Sequence, residues 1–179
     1  MMKHALLIAF LIFLSGCAAS VGTVPADFSL QGKEESVVFG HLIIDGRSDE
    51  VAHSLNPLDT MTLTFWNAST GKRYAVVCER GGSDARFFVA LPPGQYRVTK
   101  WSDGRSSFNL RGSFEVERGA GVYIGTIKWV RSVSTGVLSG ATQGTLAIED
   151  RYAEEARLFK ERYPRIQEPI VRSIINTDY

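Results

Sequence analysis

The sequence predicts a mainly β protein, an antiparallel sandwich or barrel with one C-terminal α-helix, and three observations carry that prediction. Apolar and polar residues alternate with a period of two over Met61 to Asn67, Arg86 to Leu91 and Gln95 to Trp101. Turn-forming clusters such as Pro92-Pro93-Gly94 and Asp103-Gly104 recur at short intervals, with no helical segments between the alternating runs. After Glu149 the apolar spacing changes to four, three and four at Tyr152, Ala156, Phe159 and Tyr163, which is one face of a helix.

In chain order, residues 1–16 come first. Lys3 supplies a fixed positive charge, and Ala5 to Leu14 is a ten-residue apolar run closed by Ser15 and Gly16. This has the length of an export-signal core and is too short for a membrane span, which needs roughly 20 apolar residues. Leu14-Ser15-Gly16-Cys17 resembles the lipobox of bacterial lipoproteins. That resemblance implies cleavage between Gly16 and Cys17, a diacylglyceryl group on the Cys17 thiol, and acylation, commonly with palmitate, of the new amino group. Two or more chains anchor stably where one is marginal. Ala18 stands where enterobacterial lipoproteins retained at the inner membrane carry Asp, so the resemblance implies an outer-membrane anchor facing the periplasm.

Removing 16 of 179 residues leaves 163, the length of one domain. Lys3 is lost with them, leaving 19 basic and 19 acidic residues. A net charge of zero implies no nucleic-acid partner and no polybasic membrane segment. With Cys17 lipidated, Cys78 has no partner for a disulfide, and its place in the apolar run Tyr74 to Cys78 reads as a small buried hydrophobe.

Residues 17–35 are small and polar, with Pro25 and two glycines, and read as a flexible tether holding the domain off the bilayer. The β domain is assigned to residues 36–148. Ser36 to Asp45 is rich in β-branched residues, with Gly40 marking a bulge or close approach. Met61 to Asn67 and Arg73 to Cys78 form a hairpin through Gly71, and Leu91 and Gln95 are expected to flank a tight turn between paired strands, with Tyr96 buried. Phe108 to Val116 and Val122 to Val130 are joined by Gly119-Ala120-Gly121, read as another hairpin turn, and Thr145 to Ile148 adds a short strand. The helix covers residues 149–163, with Asp150 as N-cap and Pro164 as its stop. Residues 164–179 read as a partly ordered tail.

From Ser36 to Val130 the order of features resembles the carboxypeptidase regulatory-like, or transthyretin-like (prealbumin-like), domain. The resemblance is carried by Val38 to Asp45, Met61 to Phe65 with Gly71, and above all Phe87 to Val98 with its Pro93-Gly94-Gln95-Tyr96 turn. It implies an antiparallel β-sandwich of about seven strands with the tyrosine packed between sheets. It implies no particular function, since such domains bind, scaffold or regulate.

Catalytic signatures are sparse. His41 and His53 are the histidines beyond the signal, one within a strand and one in a loop, and no cluster has metal-ligand spacing. There is no Gly-x-Ser-x-Gly elbow, and Gly119-Ala120-Gly121 with Gly125 misses dinucleotide spacing. Asp45, Asp49, Glu50 and Asp59 read as a solvated loop. Trp66 and Trp101 fall on the polar faces of their strands, where exposed indoles could stack on sugars or on partner side chains. The expectation is therefore a non-catalytic, lipid-anchored envelope protein, with no cofactor beyond the Cys17 lipid, that binds or supports an envelope protein. The alternative is a carbohydrate- or peptidoglycan-binding module using Trp66 and Trp101.

Overall fold

A computed structural model of the chain describes residues 18–45, 61–81, 84–102, 107–132 and 143–177. Residues 1–17, with the signal, Gly16 and Cys17, lie outside the described residues, as do His53, Asp49, Glu50 and Asp59. The strands are β1 (Ala19–Val21), β2 (Ser36–Asp45), β3 (Met61–Asn67), β4 (Arg73–Gly81), β5 (Asp84–Leu91), β6 (Gly94–Ser102), β7 (Ser107–Val116), β8 (Gly121–Ser132), β9 (Gln143–Glu149) and β10 (Ile170–Arg172). The helix, α1, covers Tyr152–Arg162. Among the described residues the chain is mainly β with one helix.

The strands run in the order β10-β8-β2-β5-β4-β3-β6-β7, with β1 beside β4 and β9 beside β8. Three pairs, β1 with β4, β2 with β8 and β10 with β8, are parallel. The result is a mixed, nearly closed sheet of ten strands where an antiparallel sandwich of about seven was expected.

Two expected hairpins are crossovers instead. β5 pairs with β2 and β4, and β6 pairs with β3 and β7, so Pro92-Pro93 carries the chain between sheet segments. Two prolines offer no N–H to a ladder, which suits a crossing. The Tyr96 hydroxyl donates to the Pro92 carbonyl at 2.8 Å, and the ring is fully buried, as the sequence predicts. This is the tyrosine-corner arrangement, in which a core tyrosine ties down the backbone just upstream.

β7 and β8 are likewise unpaired with each other, because the C-terminal segment lies between them. After β10, Ser173 N–H donates to Tyr123 O and Ile175 N–H to Ile124 O, while Ser113 and Asn176 exchange two backbone hydrogen bonds of 2.9 Å. The expected partly ordered tail is thus a strap across the seam, with Ile166 and Ile175 buried. Ile175 fits only because Gly112 has no side chain: a Cβ there would lie 2.3 Å from Ile175 Cγ2.

Two cores result. Inside the barrel, Val38, Leu42, Leu63, Phe65, Phe87 and Tyr96 belong to one continuous cluster. Outside it, Val37 and Phe39 of β2, Phe88 of β5 and Tyr123 of β8 receive Phe159 and Tyr163. β2 is therefore buried on both faces, which explains its near-continuous apolar run. The helix stripe read from the sequence packs here, with Phe159 stacked on Phe39 at 4.3 Å between ring centroids. Asp150 accepts from the Tyr152 N–H at 3.0 Å, although Arg151 occupies the N-cap position and makes no side-chain cap bond.

The segment expected as a flexible tether is docked from Ala19 onward. β1 adds to β4, Val24 and Leu30 are buried in the outer core, Val24 N–H donates to Phe88 O, and Tyr163 Oη donates to Val24 O. The few apolar residues scattered in a polar composition are the ones that anchor it.

Candidate functional site

The backbone irregularity with the greatest consequence is at Thr99. Between β3 and β6 the register jumps from Phe65↔Val98 to Thr64↔Lys100, leaving Thr99 as an extra residue in β6. Between β6 and β7 it jumps from Val98↔Gly112 to Lys100↔Asn109. A one-residue bulge inverts the alternation beyond it. Tyr96 and Val98 face the core, and past the bulge Lys100 faces out and Trp101 faces in.

That inversion corrects the expectation of an exposed Trp101. The residue is 1% exposed, stacks on Phe108 at 4.7 Å and meets Trp129 edge-on at 5.6 Å. Trp66, on the regular strand β3, is half-buried with its ring on the outer face. The two tryptophans therefore do not form one stacking platform.

What does share the outer face is positive charge. Arg73↔Trp66 and Trp66↔Arg97 are register partners, so strand by strand the row reads Arg73, Trp66, Arg97. The Arg97 guanidinium lies 5.3 Å from the Trp66 ring centroid, a cation–π contact. The bulge opens a cleft of about 320 Å³ between β6 and β7, flanked by Arg97 and Arg111, with Thr99 at its polar edge and Val98, Leu110 and Gly112 lining it. Arg73, Arg97, Lys100 and Arg111 are exposed, and among the described residues none of them enters an ion pair. Glu115 at the edge of β7 and Glu79 of β4, the latter paired with Arg162, are acidic residues of this face. The Thr99 hydroxyl is occupied, donating to Thr64 O at 3.2 Å, so what such a cleft offers an anion is its two guanidinium groups.

A second charged cluster is structural. Glu155 of α1 is 1% exposed, contacts Nδ1 of His41 at 3.1 Å and accepts from Arg86 Nε at 3.2 Å and Nη2 at 3.3 Å. Burial alone would raise its carboxyl, but the close contact with His41 and the hydrogen bonds from Arg86 outweigh it and the net shift is downward. His41, expected in a strand, is on the outward face of β2 beneath the helix. Cys78 is a buried free thiol pushed up to about 12 by burial, which removes it as a nucleophile. Among the described residues no group of three or more His, Cys, Asp or Glu is placed to hold a metal ion, and no helix is long and apolar enough to cross a membrane.

The arginine cleft escaped sequence reasoning because Arg97 and Arg111 are separated by a strand connection, and nothing in a near balance of 20 basic and 19 acidic residues signals that unpaired cations gather on one face. No family model and no curated protein matches the chain.

Proposed function

We propose that the chain is a bacterial lipoprotein, anchored through lipid on Cys17, whose β domain is non-catalytic and binds or supports another component of the envelope. The observation that carries this reading is Leu14-Ser15-Gly16-Cys17 at the end of an apolar run preceded by Lys3. The anchor holds the protein on the periplasmic face of an envelope membrane, the outer membrane by the resemblance at Ala18. A β domain with basic and aromatic side chains on one face suits binding better than catalysis. The resemblance of residues 36–130 to prealbumin-like domains supports the same role, and we read the barrel as a variant of that sandwich with an added strap and outer helix. Burial of Trp101 counts against the paired-tryptophan glycan site. The test is fractionation of envelopes from cells expressing wild type and Cys17→Ser. Wild type is expected in the membrane fraction with fatty-acid label and the variant free of label and released; equal membrane retention of both would overturn the proposal.

A further inference from the structure

The row Arg73, Trp66, Arg97, with Arg111 across the cleft, begins one strand away from the residue that follows Cys17. Ala19 pairs with Tyr74 and the strands are parallel, so Ala18 is level with Arg73 one strand away. Cys17 is the next residue, about 3.8 Å further along the chain. Because the segment from Ala19 to Leu30 packs on the barrel, an acylated Cys17 would hold the domain close to the bilayer. Lys72 in the preceding turn is exposed as well.

Resting on the lipoprotein reading, we propose that the outer face of β4, β3, β6 and β7 is a membrane-contact surface: Arg73, Arg97, Lys100 and Arg111 engage the anionic phospholipid headgroups of the bilayer that holds Cys17, and Trp66 inserts at the interface. Charge segregation argues for it. Of the cations on the helix side, Arg86, Arg162 and Arg172 are paired with Glu155, Glu79 and Asp150, leaving Lys160 and Arg165, whereas among the described residues none of the four cations of this face enters an ion pair. An indole with a cation over its ring is suited to the headgroup layer, where one side is apolar and the other wet. The cleft between Arg97 and Arg111 gives one headgroup phosphate two guanidinium partners. The face would fix the orientation of the barrel and leave α1 and the strap turned toward the periplasm.

The test uses full-length lipidated protein, extracted from membranes and reconstituted into vesicles of phosphatidylcholine with or without phosphatidylglycerol, their acyl chains brominated near the glycerol end. Trp101 and Trp129 are buried, so Trp66 is the ring the bromine can reach. Quenching should be strong on anionic vesicles, weak on neutral ones, suppressed by salt and absent in Trp66→Phe. In a Cys17→Ser background, Arg73→Gln, Arg97→Gln and Arg111→Gln combined should lower affinity for anionic vesicles roughly a hundredfold, about fivefold per charge. If mass analysis finds no lipid on Cys17, the anchor reading fails and this proposal with it. If Cys17 is lipidated but quenching is the same on both vesicles and indifferent to salt, this proposal alone fails, whatever the stability of the triple variant.

Discussion

Nδ1 of His41 lies 3.1 Å from the Glu155 carboxylate, so the helix is joined to the outer face of β2 by a buried polar contact inside an otherwise apolar interface. Arg86 of β5 reaches the same carboxylate with two N–H groups, which makes Glu155 the point where helix and two strands meet. Such a group is stabilising only while it is charged and fully partnered.

The pH dependence follows from the sign of the Glu155 shift. A carboxyl whose folded pKa lies below its ordinary 4.5 contributes stability above that value and loses it as pH falls through the lower, folded one. Urea unfolding between neutral and acid pH should show wild type losing stability below about 4.5 more steeply than Glu155→Gln. At neutral pH, Glu155→Ala should cost about 3 kcal/mol, because it leaves Arg86 and His41 facing an empty, buried site.

Tyr96 should matter through its hydroxyl as well as its ring. Burial is the main cause that pushes its phenol up to about 12, so it stays protonated and donates to Pro92 O at any working pH. Tyr96→Phe keeps the packing and removes the bond, and calorimetry should show a loss of about 1 kcal/mol. Gly94→Val should cost more, since φ is +143° there and a Cβ would lie 3.1 Å from Asn67 Nδ2.

Closure of the barrel by the C-terminal strap predicts coupling between Gly112 and Ile175. Gly112→Ala should destabilise by about 2 kcal/mol through overpacking against Ile175. Ile175→Ala alone also costs stability, by opening a cavity in the core. Combined, the two should be clearly less than additive in denaturant unfolding, because the shortened side chain makes room for the new Cβ. Strict additivity would mean that the strap does not pack on β7.

Alternation made most strands legible because one face of each is core: Met61–Asn67 keeps period two without interruption, and its ends match the structure. The helix was legible for the same reason at period 3.6, through Tyr152, Ala156, Phe159 and Tyr163. Pairing was harder to read. Glycine-rich 117–121 looks like a hairpin turn, yet the place beside β7 is taken by residues about 60 positions later, and no local signal announces a partner that distant. Thr99 is an ordinary strand residue whose neighbours shift register around it, so the inward turn of Trp101 and the approach of Arg97 to Arg111 were invisible to a period count. Residues 18–35 have the average composition of a tether, yet two buried side chains, Val24 and Leu30, hold the segment in place.

The proposed anchor requires Cys17 to be the first residue of the mature chain. Intact-mass measurement on protein extracted from bacterial envelopes with detergent reads this in one spectrum. The expected mass is that of residues 17–179 carrying a diacylglyceryl group and an amide-linked fatty acid, with the added mass confined to the N-terminal peptide after digestion. A chain that retains residues 1–16, or one that begins elsewhere with an unmodified Cys17, would contradict it.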